Sequence, residues 1–466
     1  MPQVPSLVRG LSLTDSVLLM VGGMIGSGIF LTAGPIATAV RRPLPFLGVW
    51  LAGGLISLLA AFALAEMGAM YPEAGGLYVY LREAFGELPA FLYGWMIFTV
   101  IQSGGIAAIA VGFADYLGAV LPVFAAHARI LKIGGWSLTR GDLTAVACIV
   151  LITAINVVGL KRGSAVINLA TWAKFVAIAA FILLGLAIGN GDWSNFSTAV
   201  VATKPLTTAQ LMSGFGVGLI AVFWAFDGWV YVTWVAGEIK DPQRVLPRAM
   251  VFGVLIVTVI YLLLNGVYLY ALPMAQVAKE ETIAQAAAVA LFSSRAARWL
   301  SALIALSCFG ALASCILPGA RVPYAMARDG VFFHAMGRVH PRYRTPAFSL
   351  IALSALGIVF ALSGSFEQLF TYSQFMSVVS YTVAVVGLFV LRRKRPDARR
   401  PYRCTGYPYL PALYVVITAV WALNSVVTRP METLIGIGIV LVGVPFYFFW
   451  RRQVKVDKAN ALRHDV

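Results

Sequence analysis

Apolar residues occupy most of the chain in long runs that are separated by short polar connections. Many of these runs reach about 20 residues, the length that an α-helix needs to cross the hydrocarbon core of a bilayer. The polar connections are too short to form a soluble domain. The pattern predicts an all-α polytopic membrane protein with twelve transmembrane helices, which span approximately 14–38, 46–69, 89–119, 142–159, 164–189, 209–236, 249–272, 299–327, 346–363, 367–391, 410–428 and 432–450.

Two of the predicted helices are interrupted by glycine near their centres. The first contains GGMIGSGIF (22–30), and the sixth contains SGFGVGLIAVFWAFDGW (213–229). Glycine inside a helix costs roughly 1 kcal/mol relative to alanine, and each backbone group left unsatisfied in lipid costs several kcal/mol. Such breaks indicate that the freed N–H and C=O groups have something to bind. Glycines that merely allow close helix packing are the alternative interpretation.

The two interrupted helices are five helices apart, so they cross the bilayer in opposite directions. Broken helices at matching positions of two five-helix halves are typical of secondary transporters built from inverted repeats. The spacing predicts a first repeat over residues 1–189 (helices 1–5) and a second over 209–391 (helices 6–10). Two added helices over 410–450 and a cytosolic tail over 451–466 follow.

A helix break can bind both charged groups of a zwitterion. N–H groups at the positive end of a half-helix suit a carboxylate, and freed carbonyls suit an ammonium group. Gly26, Ser27 and Gly28 have little or no side chain, so a ligand can approach the backbone there. The serine hydroxyl adds a further donor. The break therefore predicts a small zwitterion as the ligand.

The formal net charge of +16 follows membrane topology rather than a nucleic-acid surface. With the N-terminus inside, most of the 35 Lys and Arg residues fall in the cytosolic segments, and both termini are cytosolic. The start of the chain resembles a cytosolic tail rather than a signal peptide. The basic run RRKRPDARRPYR (392–403) is explained most simply as a topology anchor that meets anionic lipid, with a regulatory role as the alternative.

Other classes of function find little support in the sequence. Cys148, Cys308 and Cys315 lie within predicted helices and Cys404 in the basic loop, so no disulfide framework is indicated. The four histidines show no metal-ligand spacing. No predicted helix carries the repeated polar positions that line a channel, and no constellation typical of an enzyme is visible. We expect no enzyme activity, cofactor or metal, whereas a substrate-sensing receptor stays open.

Four longer stretches carry a family resemblance. They are VGGMIGSGIFLTAGP, EMGAMYPEAGGLYVYLREAFG, FWAFDGWVYVTWVAGEIKDPQRVLPRA and RVPYAMARDGVFFHAMGRVHPRYRTP. In content and order they resemble the amino acid–polyamine–organocation superfamily, and within it the L-type amino acid transporter branch and its bacterial members. The resemblance implies a twelve-helix, leucine-transporter-like fold with helices 1 and 6 broken. It also implies sodium-independent amino acid transport and, commonly, obligatory exchange.

The resemblance further implies which residues form the substrate site. The unwound parts of helices 1 and 6 would hold the α-groups, an aromatic residue of helix 6 (Trp224) would close over the substrate from outside, and positions on helices 3 and 10 would line the side-chain pocket. Ordinary core packing is the alternative for the apolar members. The implied residues are Ile25, Gly26, Ser27, Gly28, Ile29, Val100, Ile101, Phe223, Trp224, Ala225, Phe226, Asp227, Gly228 and Phe375.

Lys174 lies near the middle of the fifth predicted helix. A charge at the bilayer centre costs roughly 2.5–3.5 kcal/mol even on the lenient insertion scale. The resemblance implies that its ammonium replaces the sodium ion of sodium-coupled relatives and bridges helix 5 to broken helix 1, near Ser314. A lysine tied to backbone carbonyls only for stability is the alternative. A proton-linked role also stays open, because a buried lysine can exchange its proton.

Asp227 is a second intramembrane charge, set inside the break of helix 6. It could pair with a cationic substrate side chain. It could instead bind freed backbone N–H groups and a water, and so organise the break for neutral substrates, which is the interpretation we favour. A role as a proton carrier is the third interpretation of Asp227.

Charged residues also gather at the predicted cytosolic ends of the helices. They either form inner-gate ion pairs that break on opening or are plain interfacial charge. The residues are Glu66, Glu73, Glu238, Arg82, Arg244, Arg248, Arg321, Arg328 and Arg344.

These features predict a sodium-independent transporter of small or medium neutral L-amino acids in the cell membrane, an exchanger rather than a uniporter, working by alternating access. The alternatives are a neutral-plus-cationic transporter with Asp227 as counter-charge and a proton-coupled symporter. The outer segment PVFAAHARILKIGGWSLTRGD (122–142) lacks the cysteine by which mammalian heteromeric relatives bond a glycoprotein subunit. No disulfide-linked partner is therefore expected.

Overall fold

The computed structural model describes residues 7–124, 129–133, 136–197, 207–280, 282–363, 366–428 and 430–464. The helices, labelled α1 to α20 in chain order, are Leu13–Met24, Gly28–Leu31, Ala33–Val40, Pro43–Met70, Leu77–Phe85, Glu87–Met96, Gln102–Val120, Arg140–Val157, Leu160–Ile188, Thr208–Phe226, Tyr231–Trp234, Pro242–Ala271, Met274–Val277, Ile283–Leu291, Ser294–Gly319, Arg321–Arg328, Ala347–Ser363, Phe366–Lys394, Tyr409–Thr428 and Pro430–His464.

Shorter elements connect these helices. A π-helical turn, Ile97–Ile101, lies between α6 and α7, so these elements form one long span. Two strands, β1 (Arg129–Ile133) and β2 (Trp136–Thr139), pair antiparallel in the connection between α7 and α8. The 3₁₀ turns are Pro122–Phe124, Trp193–Phe196, Ala236–Glu238 and His334–Gly337.

Twelve apolar helical segments make up the body of the described chain. Eleven are long and apolar enough to cross a membrane, and α17 is a shorter apolar helix of 17 residues. The twelve segments coincide with the twelve predicted runs, because an apolar run of this length satisfies its backbone only as a helix. The predicted all-α polytopic fold is confirmed.

Side-chain caps fix where several of these helices begin. The Ser12 hydroxyl accepts the N–H of Asp15, and the Asp15 carboxylate accepts the N–H of Ser12, which forms a capping box at the start of α1. Thr139 and Asp142 form the same arrangement at α8. Each cap contributes about 1 kcal/mol. The Ser12–Asp15 cap places the start of α1 twelve residues before the glycine-rich break.

The glycines of the first span also allow close packing. A Cβ on Gly22 would lie 2.5 Å from the Thr171 hydroxyl of α9, and one on Gly23 would lie 2.7 Å from the Tyr231 ring of α11. Both distances are shorter than any real Cβ contact. The packing interpretation therefore holds for these two glycines, while the break lies just beyond them.

Candidate functional site

The first span is broken where the glycine pattern predicts. α1 ends at Met24 and α2 begins at Gly28. In the part of the chain that the structure describes, the N–H groups of Ser27, Gly28 and Ile29 donate to no protein acceptor. The buried Ser27 hydroxyl has no hydrogen-bond partner there either. The break thus offers several unused donors to an anionic group.

The sixth span is broken at the matching position. α10 ends at Phe226, Asp227 is extended, and Gly228 has φ +116°, which favours glycine. A Cβ on Gly228 would lie 2.9 Å from the carbonyl carbon of Gly23, and one on Gly28 would lie 2.9 Å from the Cα of Ala225. Glycine therefore brings the two breaks into direct backbone contact.

Tyr261 of α12 joins the two breaks. Its hydroxyl lies 2.7 Å from the Met24 carbonyl and 2.7 Å from the Ala225 carbonyl, and the side chain is fully buried. A hydroxyl has one proton, so it donates to one carbonyl at a time. Sequence reasoning missed this residue, since a tyrosine in an apolar helix carries no signal that its hydroxyl bridges distant carbonyls.

Lys174 of α9 holds the end of α1. It is 2% exposed, and its Nζ donates to the Gly22 carbonyl (3.1 Å) and to the Ile25 carbonyl. The Ser307 hydroxyl of α15 donates to the same Ile25 carbonyl at 3.2 Å. Ser314, the serine singled out from the sequence, donates instead to Gly310 of its own helix at 3.1 Å. The ammonium thus links α9 to the first break, with Ser307 as its neighbour on the shared carbonyl.

The Asp227 carboxylate is engaged within the protein. Its Oδ1 accepts the N–H of Gly228 at 2.9 Å and the hydroxyl of Tyr381 at 2.7 Å. The Tyr381 ring packs edge-on against Trp229, with centroids 5.3 Å apart. This geometry stabilises the backbone of the sixth-span break.

A cleft lies between the two breaks and α7, with about 500 Å³ of empty space including its open mouth. We call it the central cleft, and it is lined by Gly23, Met24, Gly26, Ser27, Gly28, Ile101, Gln102, Gly105, Ile109, Trp224, Asp227 and Tyr231.

The structure brings only part of the predicted set to the central cleft. Phe223 packs edge-on against Trp421, and Phe375 lies 6.0 Å from the same ring. Phe226 packs against Tyr261. The predicted residues that do not line the cleft are Ile25, Ile29, Val100, Phe223, Ala225, Phe226, Gly228 and Phe375.

A polar contact that the sequence did not reveal forms one wall of the cleft. Gln102 is 2% exposed, and its Nε2 donates to the Cys315 carbonyl at 2.6 Å and lies 3.0 Å from the Cys315 sulfur. The Tyr231 hydroxyl donates weakly to the same sulfur at 3.8 Å. Because Cys315 takes the amide N–H group, the Oε1 of Gln102 remains as the acceptor end of this side chain.

One buried ion pair ties the ends of the sixth and eighth spans together. Arg321 binds Glu238 with two contacts, 2.7 and 3.0 Å, and both side chains are essentially unexposed. The N–H groups of Gly10 and Leu11 donate to the Glu238 carbonyl, and the N–H of Lys240 donates to the Leu11 carbonyl. The segment that precedes α1 is therefore fastened to the segment that follows α11.

A second group of charges lies at the same end but nearer the surface. Arg82 contacts Asp329 at 2.6 Å and Glu73 at 3.3 Å. Partial burial opposes the charge, but the Asp329 carboxylate outweighs it and raises the pKa of Arg82. Arg244 pairs with Asp241 rather than with a predicted partner. Among the described residues, no ion pair is formed by Arg248, Arg328 and Arg344.

Glu66 anchors the basic loop that precedes α19. It is fully buried, and it binds Arg392 at 2.5 Å, Arg400 at 3.1 Å and the N–H of Cys404 at 2.6 Å. Burial raises the pKa of the Cys404 thiol to about 12. The loop is thus fastened to Glu66 by Arg400 and the Cys404 N–H, next to Arg392 at the end of α18. This part of the basic run therefore has a contact inside the protein besides the topology anchor or regulatory role considered from the sequence.

Neither a metal cluster nor a disulfide is found in the described part of the chain. No group of three His, Cys, Asp or Glu side chains could hold a metal ion there. The four cysteines are buried and free. The two breaks can bind a small zwitterion through their backbone groups. Gln102 and Tyr231 form a polar patch beside apolar walls where the side chain of that zwitterion would lie.

Comparison with known proteins gives matches over nearly the whole chain. Residues 11–444 match the family described as amino acid permease. The chain is 30% identical over 450 residues to the serine/threonine exchanger SteT of Bacillus subtilis, covering 96% of this chain and 98% of that protein. It is 29% identical over 455 residues to the b(0,+)-type amino acid transporter 1 of Homo sapiens (96% and 89% covered) and 28% identical over 449 residues to the human cystine/glutamate transporter (95% and 85%).

Proposed function

Since this chain belongs to the amino acid permease family and is an amino acid transporter, we propose that it exchanges small and medium neutral L-amino acids without sodium, by alternating access. The family resemblance inferred from the four sequence stretches is confirmed. The protein is a multi-pass membrane transporter and not an enzyme.

The observation that carries the proposal is the set of unused donors at the first break. Ser27 and Gly28 line the central cleft, and their N–H groups and the Ser27 hydroxyl have no partners in the described chain. The N–H of Ile29, the next residue, has no partner there either. Unpaired buried donors are costly, so a bound carboxylate that accepts them recovers free energy. Every amino acid has this carboxylate, which explains how one site accepts several substrates.

Lys174 supports the sodium-independent part of the proposal. Its ammonium binds carbonyls at the end of α1, and backbone carbonyls at unwound helix segments are also the groups that coordinate sodium in broken-helix transporters. A fixed ammonium at these carbonyls leaves no role for a sodium ion. In this proposal, transport does not depend on sodium because the Lys174 ammonium supplies the positive charge that a sodium ion would otherwise supply.

The engagement of Asp227 supports neutral cargo. Its carboxylate already accepts hydrogen bonds from Gly228 and Tyr381, so a cationic side chain would have to share it. The polar patch of Gln102 and Tyr231 suits a hydroxyl or another small polar group. The similar Bacillus subtilis protein is described as a serine/threonine exchanger, which agrees with such cargo.

The proposed mechanism alternates access around the two breaks. We assign the first inverted repeat to residues 1–189 and the second to 209–391, with both termini in the cytosol. The contacts at Glu238 and Arg321 fasten the segments next to the two broken spans together, and access to the central cleft from this end requires them to separate. We further propose that the chain works without a disulfide-linked partner.

A substrate panel in sodium-free proteoliposomes tests this function. Purified protein should take up radiolabelled serine, threonine and alanine several-fold faster when the vesicles contain unlabelled amino acid than when they are empty. Uptake should not change when sodium replaces choline outside. Stimulation by sodium, or equal uptake into empty and loaded vesicles, would contradict the proposal, and a requirement for a second chain would contradict its single-chain part.

A further inference from the structure

A groove on the outside of the bundle lies apart from the central cleft. It is bounded by α7, the turn Pro122–Phe124, α8 and α15, and it has a volume of about 460 Å³. Its lining is almost entirely apolar and includes Phe309 and the exposed side chains of Leu143 and Leu151. We expect an apolar molecule or segment to fill a concave apolar surface of this size that is open to the outside of the bundle.

The length of the groove matches one leaflet of a bilayer. It extends along α8 from Arg140, the first residue of the helix, to Leu151. Eleven residues at about 1.5 Å each cover about 16 Å. Half of the hydrocarbon core is about 15 Å thick. The length of the groove along α8 is therefore close to the thickness of one leaflet.

The surface end of the groove carries positive charge. The Arg140 guanidinium donates to the Val123 carbonyl at 3.3 Å, and its other N–H groups have no partner among the residues that the structure describes. Arg129 and Lys132 of β1 add positive charge to the same connection. The carboxylate of Asp142 is occupied in capping α8.

We propose that this groove binds a phospholipid with an anionic headgroup. One acyl chain lies along the apolar wall between Leu143 and Leu151, and the headgroup phosphate binds Arg140. Apolar length, leaflet depth and a cation at the surface end are the three features that such a lipid matches at once. A soluble phosphate matches only the last of them.

Lipid titration of the full-length protein, followed by native mass spectrometry, tests the proposal. Phosphatidylglycerol should bind about fivefold more tightly than phosphatidylcholine with the same chains, which is the factor expected for one basic residue near the membrane surface. Glycerophosphoglycerol, which has the same phosphodiester headgroup but no acyl chains, should not bind. These wild-type comparisons need no variant.

Three variants locate the site. Arg140→Gln should abolish the preference for phosphatidylglycerol, and Ala147→Trp, which fills the groove, should weaken binding of both lipids. Arg298→Gln is the matched control, since Arg298 is an exposed arginine at the start of α15 that does not line the groove. It should bind both lipids like the wild type.

Several results would overturn the proposal. They are equal binding of the two lipids by the wild type, a preference that survives Arg140→Gln, and unchanged binding in Ala147→Trp. A photo-crosslinker at position 147 that captures a co-purifying polypeptide instead of lipid would likewise overturn it.

Discussion

Tyr261→Phe removes the single hydroxyl that joins the two helix breaks. The phenylalanine keeps the ring contacts with Trp50 and Phe226, whose centroids lie 5.3 and 4.9 Å away. The Met24 carbonyl retains one donor, the N–H of Gly26 at 2.9 Å, whereas the tyrosine contribution to the Ala225 carbonyl is lost. We expect weaker binding of every substrate and little change in packing.

The magnitude follows from one hydrogen bond, because the hydroxyl has one proton. A net bond is worth about 0.5–1.5 kcal/mol, and a buried acceptor that loses its donor costs about 1–3 kcal/mol. Since the Met24 carbonyl keeps a partner, we expect about 1–2 kcal/mol. At about 1.4 kcal/mol per factor of ten, this is about 5- to 30-fold weaker binding.

The assay is equilibrium binding of radiolabelled serine, alanine and leucine to purified protein, with thermal unfolding as a measure of folding. Tyr268→Phe is the matched control, since Tyr268 is fully buried on the same helix and its hydroxyl has no partner among the described residues. It should bind like the wild type. If Tyr261→Phe also binds like the wild type, or if the two variants lose affinity equally, the bridging role is wrong.

Three further variants probe the same site. Lys174→Ala should abolish transport in protein that is still folded and inserted, because two carbonyls at the end of α1 lose their cation; a variant that only lowers yield would indicate a structural lysine. Asp227→Asn should weaken arginine, alanine and leucine by a similar factor in a competition assay, since the carboxylate organises the break, whereas selective loss of arginine would favour a cationic substrate. Gln102→Leu should lower the ratio of serine to leucine affinity about 2- to 13-fold, the worth of one hydrogen bond; an unchanged ratio would place this amide outside the substrate side-chain pocket.

The helices and their two breaks could be predicted from the sequence for one physical reason. A bilayer leaves a backbone few options, so an apolar run of about 20 residues must be a helix and a glycine cluster inside it must have a compensating role. The same constraint identified Lys174 as a candidate, because placing a charged side chain inside a bilayer costs free energy and therefore indicates a specific role. These predictions depend on local composition alone.

The contacts between distant elements could not be predicted in this way. Tyr261 meets Met24 and Ala225, and Gln102 meets Cys315, only because five different spans pack together. The arginines that bind Glu66 come from the last turn of α18 and the loop after it, more than 300 residues away in the chain. Which apolar residue faces the cleft is also a matter of packing, and this is why Ile101 lines it whereas its neighbour Val100 does not.

The central claim is that the broken backbone binds the α-carboxylate and the α-ammonium group of the substrate. Competition against radiolabelled alanine by analogues that lack one of these groups tests it most directly. Propionate lacks the ammonium group and alaninol lacks the carboxylate, while both keep the size of alanine. The account predicts that alanine competes and that both analogues fail at hundredfold higher concentration. Competition by alaninol at the concentration of alanine would contradict it, since the unused donors at Ser27, Gly28 and Ile29 would then have no part in binding.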